Sequence, residues 1–459
     1  MTSISFGAAF LYLLLSLVFY LLFNRENKWK ALLLSGIISI YLISPATLVL
    51  LIVLSLVTFY AGKKIVKNSK WFEYSIPIFL IILVLYKLIT PVMDKFGMAD
   101  AGIVAENSFI RVLFNIVGIS YFTFNAIAYL FDVKRKFTSP VESYPRLLLY
   151  LFYFPALFSG PLHKPNYLLA KFSQVHISNE NLANGCRLML WGAFKNLVVA
   201  ERIRHFLVVM EQNDISGVYL LVTGLLFILY LYCNFSSFID FFRGVSEVFG
   251  IRMKENFRNR VYFSYCRHDY WRGWHITLNE WFRDYFFYPQ MKGKKIRSYQ
   301  WLLLLTFMLI GLWHDLSLKM LIWGTLNGLW IIAEKESGLP EKFNTSWKKT
   351  AGIVYHLTVS SFLACLFIFP SLEILYERFT SAPHFPVEII IASWPNLLLT
   401  AFAFIVMDQV NRLADDKSFD QFIKNKNPFF RRVAYACLIG MLFYLGNLTE
   451  GIDNFYVQF

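Results

Sequence analysis

Apolar runs long enough to cross a lipid bilayer recur along almost the whole chain, and they decide its fold class. A spanning helix needs about 20 mainly apolar residues to cover roughly 30 Å of hydrocarbon. Candidates fall near 5–23, 31–44, 46–62, 74–93, 109–131, 146–160, 187–200, 217–239, 301–314, 317–333, 352–376, 387–408 and 432–447. Several are shorter than a full crossing, so some are expected to be paired, tilted or re-entrant, which leaves about eleven crossings. The predicted fold is an all-α polytopic membrane protein with re-entrant and interfacial helices besides its spans. Only 16% of the 459 residues are charged, against about a quarter in soluble domains. The 47 Phe would make a soluble enzyme aggregate. No Gly/Ser linker, low-complexity tract or evident repeat interrupts the chain, so residues 1–459 read as one membrane domain.

Charge then sets an orientation. The net charge of +14 is spread through short loops rather than over a polar domain, and no zinc-finger, RNP or helix-turn-helix pattern accompanies it, which argues for anionic lipid contact and against nucleic acid. By the positive-inside bias, Arg25, Lys28 and Lys30, then Lys63, Lys64, Lys67 and Lys70, then Lys134, Arg135 and Lys136 are predicted to be cytoplasmic. The N-terminus then lies outside, and the acidic 94–108 loop lies on the outer side. The first apolar run exceeds a signal-peptide core and lacks a small-residue cleavage pattern, so it is expected to stay as the first helix. Five scattered cysteines without a CxxC pair indicate neither a disulfide framework nor a zinc site, and no histidine spacing suggests any other metal.

One segment is neither a clean span nor an ordinary loop. Residues 252–300 form a basic re-entrant or cytoplasmic stretch, in which eleven Lys or Arg and four acids between Arg252 and Arg297 carry half of the net charge. Within it, Trp271, Trp274, Leu278, Trp281, Phe282 and Tyr285 recur at spacings of three and four, predicting an amphipathic helix with an aromatic face. Arg272, His275, Asn279 and Arg283, flanked by Asp284, make its other face. Such a helix lies in the interface or re-enters the membrane. Its basic and aromatic groups suit phosphates and an adenine ring, or anionic headgroups; on residue types alone lipid anchoring is the better reading.

Farther on, Leu302 to Ile332 is almost wholly apolar except at Gly311-Leu-Trp-His314-Asp315 and Lys319. An ionisable pair at membrane depth is costly without partners, which makes it a functional candidate. His314 alone reads as either a structural or a functional histidine, and Asp315 as a site residue or a helix cap. The chemistry suits acyl transfer, because a neutral imidazole with an ordinary pKa of about 6.5 can take the proton from an attacking hydroxyl. His163, His176, His205, His268, His356 and His384 read as loop or helix-end residues. GxSxG, Walker and GxGxxG patterns are missing, which removes the usual hydrolase, nucleotidase and dinucleotide readings.

The run Tyr270-Trp-Arg-Gly-Trp-His-Ile-Thr-Leu-Asn-Glu-Trp-Phe-Arg-Asp-Tyr285, followed by Gly311-Leu-Trp-His314, resembles the membrane-bound O-acyltransferases. The bacterial branch of alginate O-acetyltransferases and D-alanyl transfer proteins is the nearest in pattern. Further segments agree in order: Gly118–Phe124 with Asp132–Arg135, Phe154–Pro161, Asn234–Asp240, and Phe249–Arg252 with Glu255–Phe257. The resemblance covers about residues 110–335, read as the catalytic core, and the closing Phe455–Phe459 resembles the end of the alginate type. It implies a funnel-like helical core in a bacterial cytoplasmic (inner) membrane, with His314 as the essential histidine and His275 as the second signature histidine. Arg272, Trp274, Asn279, Trp281, Arg283, Asp284, Trp313 and Asp315 are then the donor-binding or supporting residues. Two departures stand out, Asp315 where relatives usually have Gly, and Gly273 where a bulkier or basic residue is commoner.

The resemblance also implies an enzyme without a bound cofactor. It would take acyl groups, acetyl foremost and D-alanyl as the variant, from acetyl-CoA or an acyl carrier protein thioester. The acceptors would be hydroxyls of an extracytoplasmic polysaccharide or cell-wall polymer, reached directly or through an extracytoplasmic acyltransferase partner. The rival is a multi-pass transporter or flippase with His314 and Asp315 as a proton relay, which paired broken helices in two related halves would favour; the sequence shows no such symmetry.

Overall fold

A computed structural model describes residues 6–95, 116–158, 160–291 and 296–447. Apart from its first two residues, the acidic 94–108 loop lies outside these, as do the start of the 109–131 candidate, Lys292, Lys294 and Lys295, and the 455–459 end. The described chain is helical, and its one β feature among the described residues is an isolated bridge between Ser216 and His384. Among the described residues, six helices are long and apolar enough to cross a membrane: Pro45–Ile65, Lys70–Leu88, Gly217–Val248, Ser346–Ile368, Trp394–Ala414 and Pro428–Leu445, with Phe6–Leu22 a shorter apolar helix. The protein is therefore a multi-pass membrane protein, with fewer qualifying spans than hydropathy alone counted.

Two of the candidates outside these six take other forms. The 146–160 candidate breaks at Tyr153 (φ −62°, ψ 101°) into Tyr144–Phe152 and Phe154–Leu157. Pro155 cannot donate to the carbonyl four residues back and its ring crowds it, which favours a break just before it. The 187–200 candidate is the middle of a longer helical run, Asn179–Ala193, a π-helix at Phe194–Ala200, then Glu201–Gln212, with polar residues at both ends.

The chain forms two compact units, one built on Met1–Met189 and Phe241–Lys254, the other on Leu190–Asp240 and Glu255–Gly451. In the first, α1 (Phe6–Leu22), α2 (Trp29–Ile43), α3 (Pro45–Ile65), α4 (Lys70–Lys95) and α5 (Ile119–Lys134) follow one another. Ser44 accepts the Thr47 N–H at 3.2 Å and Pro45 occupies the first turn of α3, the two devices that start a helix sharply. Gly62 lets α3 meet α5, since a Cβ there would sit 2.7 Å from the Tyr129 ring.

The second unit carries the site. It holds the first part of α6 (Leu220–Val248), α7 (Arg267–Gly273), α8 (Ile276–Trp281), α9 (Ile296–His314), α10 (Leu318–Glu336), α11 (Ser346–Ile368), α12 (Trp394–Ala414) and α13 (Pro428–Leu445). α9 and α10 form a hairpin whose backbones touch. A Cβ on Gly311 would lie 2.2 Å from the Met320 carbonyl oxygen, and one on Gly324 2.3 Å from that of Phe307. Small residues that bring backbones together are how helices associate inside lipid, where the apolar driving force is weak. Gly324→Val is expected to destabilise the fold by about 3 kcal/mol through overpacking against backbone. Thermal unfolding in detergent checks this against Gly440→Ala, where the new Cβ meets nothing within 4 Å.

Candidate active site

The continuous amphipathic helix expected over 270–285 is instead two short helices, α7 and α8, broken at Trp274 and His275, with a π-helix at Phe282–Phe287 after them. His275 takes left-handed backbone angles (φ 44°, ψ 54°), a conformation that costs a non-glycine residue about 1–2 kcal/mol and needs fixing by its surroundings. Two asparagines do so. Asn279 Nδ2 donates to the carbonyls of Trp271 and Trp274, both at 2.7 Å, satisfying the end of α7. Asn256, fully buried, accepts the Ile276 N–H on its backbone oxygen at 2.9 Å and the Thr277 N–H on Oδ1 at 3.0 Å.

The start of α7 is held as firmly. Glu334 of α10 accepts the N–H groups of Arg267 and His268, each at 3.0 Å, where a carboxylate complements a helix N-terminus. The buried Arg267 guanidinium donates to Ser360 Oγ at 2.6 Å and to Asn327 Oδ1. Arg258 and Asp269 form a two-pronged ion pair at 2.7 and 2.8 Å. His356, read from sequence as a helix-end residue, lies buried inside α11 beside Tyr270, with ring centroids 5.1 Å apart.

This frame brings the two signature histidines to one indole. His275, 1% exposed, lies 6.5 Å from the Trp313 ring centroid, and His314, 3% exposed, lies 4.6 Å from it. Phe235 packs on His275 at 5.0 Å. Trp323 and Phe367 pack edge-on against His314 at 5.6 and 5.3 Å. Burial pushes the His275 imidazole down to about 3, so it is neutral at physiological pH.

A cavity of ≈ 400 Å³ lies along α9, with Ile276, the neighbour of His275, in its wall. Tyr299, Leu303, Phe307 and Ile310 of α9 line it in sequence, with Trp271 and Ile331 also apolar. Arg272, Arg283, Lys335 and His268 contribute its basic groups, against Glu280. Ile310 is four residues before His314, about 6 Å along a helix, so the cavity ends one turn short of that histidine.

The other sequence-selected residues are less central. Trp274 stacks on Tyr270 at 5.3 Å and meets Phe257 edge-on at 5.0 Å. Trp281 packs on Phe282 and Tyr285, and Asp284 pairs with its neighbour Arg283 at 2.8 Å. Asp315 is half-buried and acts electrostatically on Lys319, whose Nζ donates to the Phe369 carbonyl at 2.7 Å. Sequence reading missed Asn256, Arg267, Asn327 and Glu334. Asn256 stood in a segment that carried the family resemblance, but a single Asn has no periodicity to mark it.

Fold and site together define an integral membrane protein built around a buried pair of histidines. The chain belongs to the membrane-bound O-acyltransferase family, whose sequence model matches residues 69–378, a stretch that holds both histidines and the cavity. It is 28% identical over 294 residues to the probable alginate O-acetylase AlgI of Pseudomonas putida, covering 62% of this chain and 59% of that one. It is 26% identical over 295 residues to the peptidoglycan O-acetyltransferase of Helicobacter pylori, covering 57% and 53%. It is 28% identical over 227 residues to the teichoic acid D-alanyltransferase of Bacillus subtilis, covering 46% and 57%. The matched stretch thus spans a little over half the length of these relatives.

Proposed function

We propose that the protein transfers an acyl group, acetyl first among them, from a thioester donor on the cytoplasmic side of the inner membrane to hydroxyls of an extracytoplasmic polysaccharide or cell-wall polymer. The relatives' named activities support acetyl or D-alanyl transfer; the donor in this proposal is acetyl-CoA or an acylated carrier protein. The observation that carries the reading is the cavity along α9, basic at Arg272, Arg283 and Lys335, apolar at Phe307 and Ile310, and one turn from His314. Phosphate groups of a donor fit the cations, and an acyl-bearing arm fits the apolar wall.

Charge supports the sidedness. α11 begins with Lys348 and Lys349 in its first turn and ends at Ile368, and His314 packs on Phe367 at that far end. Under the positive-inside bias the basic end is cytoplasmic and His314 lies towards the outer side.

In the reaction, His314 accepts the proton of the acceptor hydroxyl as its oxygen attacks the thioester carbonyl. A C–O bond forms, the C–S bond breaks, and the proton passes to the departing thiolate. An acyl-histidine at His314 is the two-step variant of the same chemistry. His275 supports the oxyanion of the tetrahedral stage. Passage of the acyl group through an extracytoplasmic partner transferase fits the same outward delivery.

Ile310→Trp, which fills the upper end of the cavity, is expected to lower donor turnover about tenfold or more. Arg272→Ala with Arg283→Ala is expected to raise the donor KM while kcat holds, the pattern of lost ground-state binding. Steady-state kinetics with acetyl-CoA and with acylated carrier protein read both effects; unchanged KM and kcat for both variants would remove the cavity from the donor path.

A further inference from the structure

The buried contact between Asn256 and His275 fixes more than backbone shape. Thr277 donates to Asn256 twice, from its N–H at 3.0 Å and from its Oγ1 at 2.9 Å, both to Oδ1. A backbone N–H has no acceptor role, so the atom facing it must be the amide oxygen. The other amide atom, Nδ2, then lies 3.2 Å from His275 Nδ1. An amide nitrogen only donates, so this contact asks His275 Nδ1 for a lone pair, against the ring's own backbone carbonyl, which favours an N–H.

We infer that Asn256 is a positioning residue that locks His275 in its Nε2–H tautomer and so makes it a hydrogen-bond donor, not a proton acceptor, in transfer. A neutral imidazole carries one N–H; with Nδ1 accepting, that hydrogen is on Nε2, at the far edge of the ring from Asn256. The lock is rigid, because Asn256 is fully buried and its own backbone oxygen takes the Ile276 N–H at 2.9 Å. The left-handed turn at His275 (φ 44°) and the Phe235 ring 5.0 Å away hold the imidazole against it. Outer partners that set the tautomer of metal-bound histidines cost about 10- to 100-fold in affinity or activity when replaced, and a loss of that size is expected here. Two neighbouring histidines thereby divide the work, with base chemistry left to His314 and hydrogen-bond donation to His275. The division of roles rests on the acyl-transfer reading above; the tautomer does not.

The test is Asn256→Asp in the full-length protein. The side chain keeps its size and the oxygen that Thr277 needs, but presents an acceptor to Nδ1 and so calls a proton onto it. A histidine-selective 15N spectrum of the wild type, assigned by His275→Gln, is expected to show His275 Nδ1 unprotonated and Nε2 protonated; Asn256→Asp should protonate Nδ1. Transfer in Asn256→Asp is expected to lose kcat about 10- to 100-fold with the donor KM retained and the melting temperature near wild type. His275→Gln, which retains a side-chain N–H, should keep more activity than His275→Ala. A protonated Nδ1 in the wild type, or a folded Asn256→Asp with unchanged kcat, would overturn the inference. Should Asn256→Asp fail to fold, the wild-type spectrum and the Gln against Ala comparison still decide it. The expected wild-type spectrum without any acyl transfer would instead remove the proposed function and leave the tautomer standing.

Discussion

Replacing His314 is expected to lower acyl transfer about a thousandfold, the range of a lost general base, while leaving the donor KM in place. The residue closes the end of α9 among Trp313, Trp323 and Phe367, and the cavity along α9 reaches Ile310, a turn before it. His314→Ala leaves a void among those rings, so His314→Gln is the better-filled companion. Both should lose transfer, and Gln should melt close to wild type. Transfer that survives in either variant would assign the proton to another group.

Glu334→Ala should have the largest effect on stability. The carboxylate, 2% exposed, accepts N–H groups from Arg267 and His268 and the Tyr355 hydroxyl, all at 3.0 Å. Alanine would strip those three donors of their acceptor and remove a charge that acts on the buried Arg267 guanidinium. Each buried donor left without an acceptor costs about 1–3 kcal/mol. Thermal unfolding of purified protein should therefore fall well below wild type. Activity should fall with it, because Arg267 begins the helix that leads to His275. A melting temperature equal to wild type would mean that α7 is held by other contacts.

What could be read from the sequence follows from how far each interaction reaches along the chain. The apolar runs announced a helical membrane protein, and the run from Tyr270 to Tyr285 with Gly311 to His314 identified the family and singled out two histidines that the structure brings to one indole. The break at His275 stayed hidden because Trp271, Trp274, Leu278, Trp281 and Tyr285 keep helical spacing straight through it. Its cause is Asn256, 19 residues earlier, which rewards a turn that local propensity disfavours. The network under α7 was equally out of sight, since Arg267 and Glu334 meet across 67 positions. Hydropathy also hid the break within 146–160, because it scores an apolar run without weighing a proline.

The central claim is that a thioester's acyl group leaves this membrane protein on a saccharide hydroxyl through His314. Membranes holding wild type or His314→Gln should be supplied with radiolabelled acetyl-CoA, and in parallel with acylated carrier protein, and the products separated into polysaccharide, lipid and protein fractions. The account predicts label in the polysaccharide fraction with at least one donor, present with wild type and lost with the variant. Label absent from every fraction with both donors, or equal in the two membranes, would contradict it.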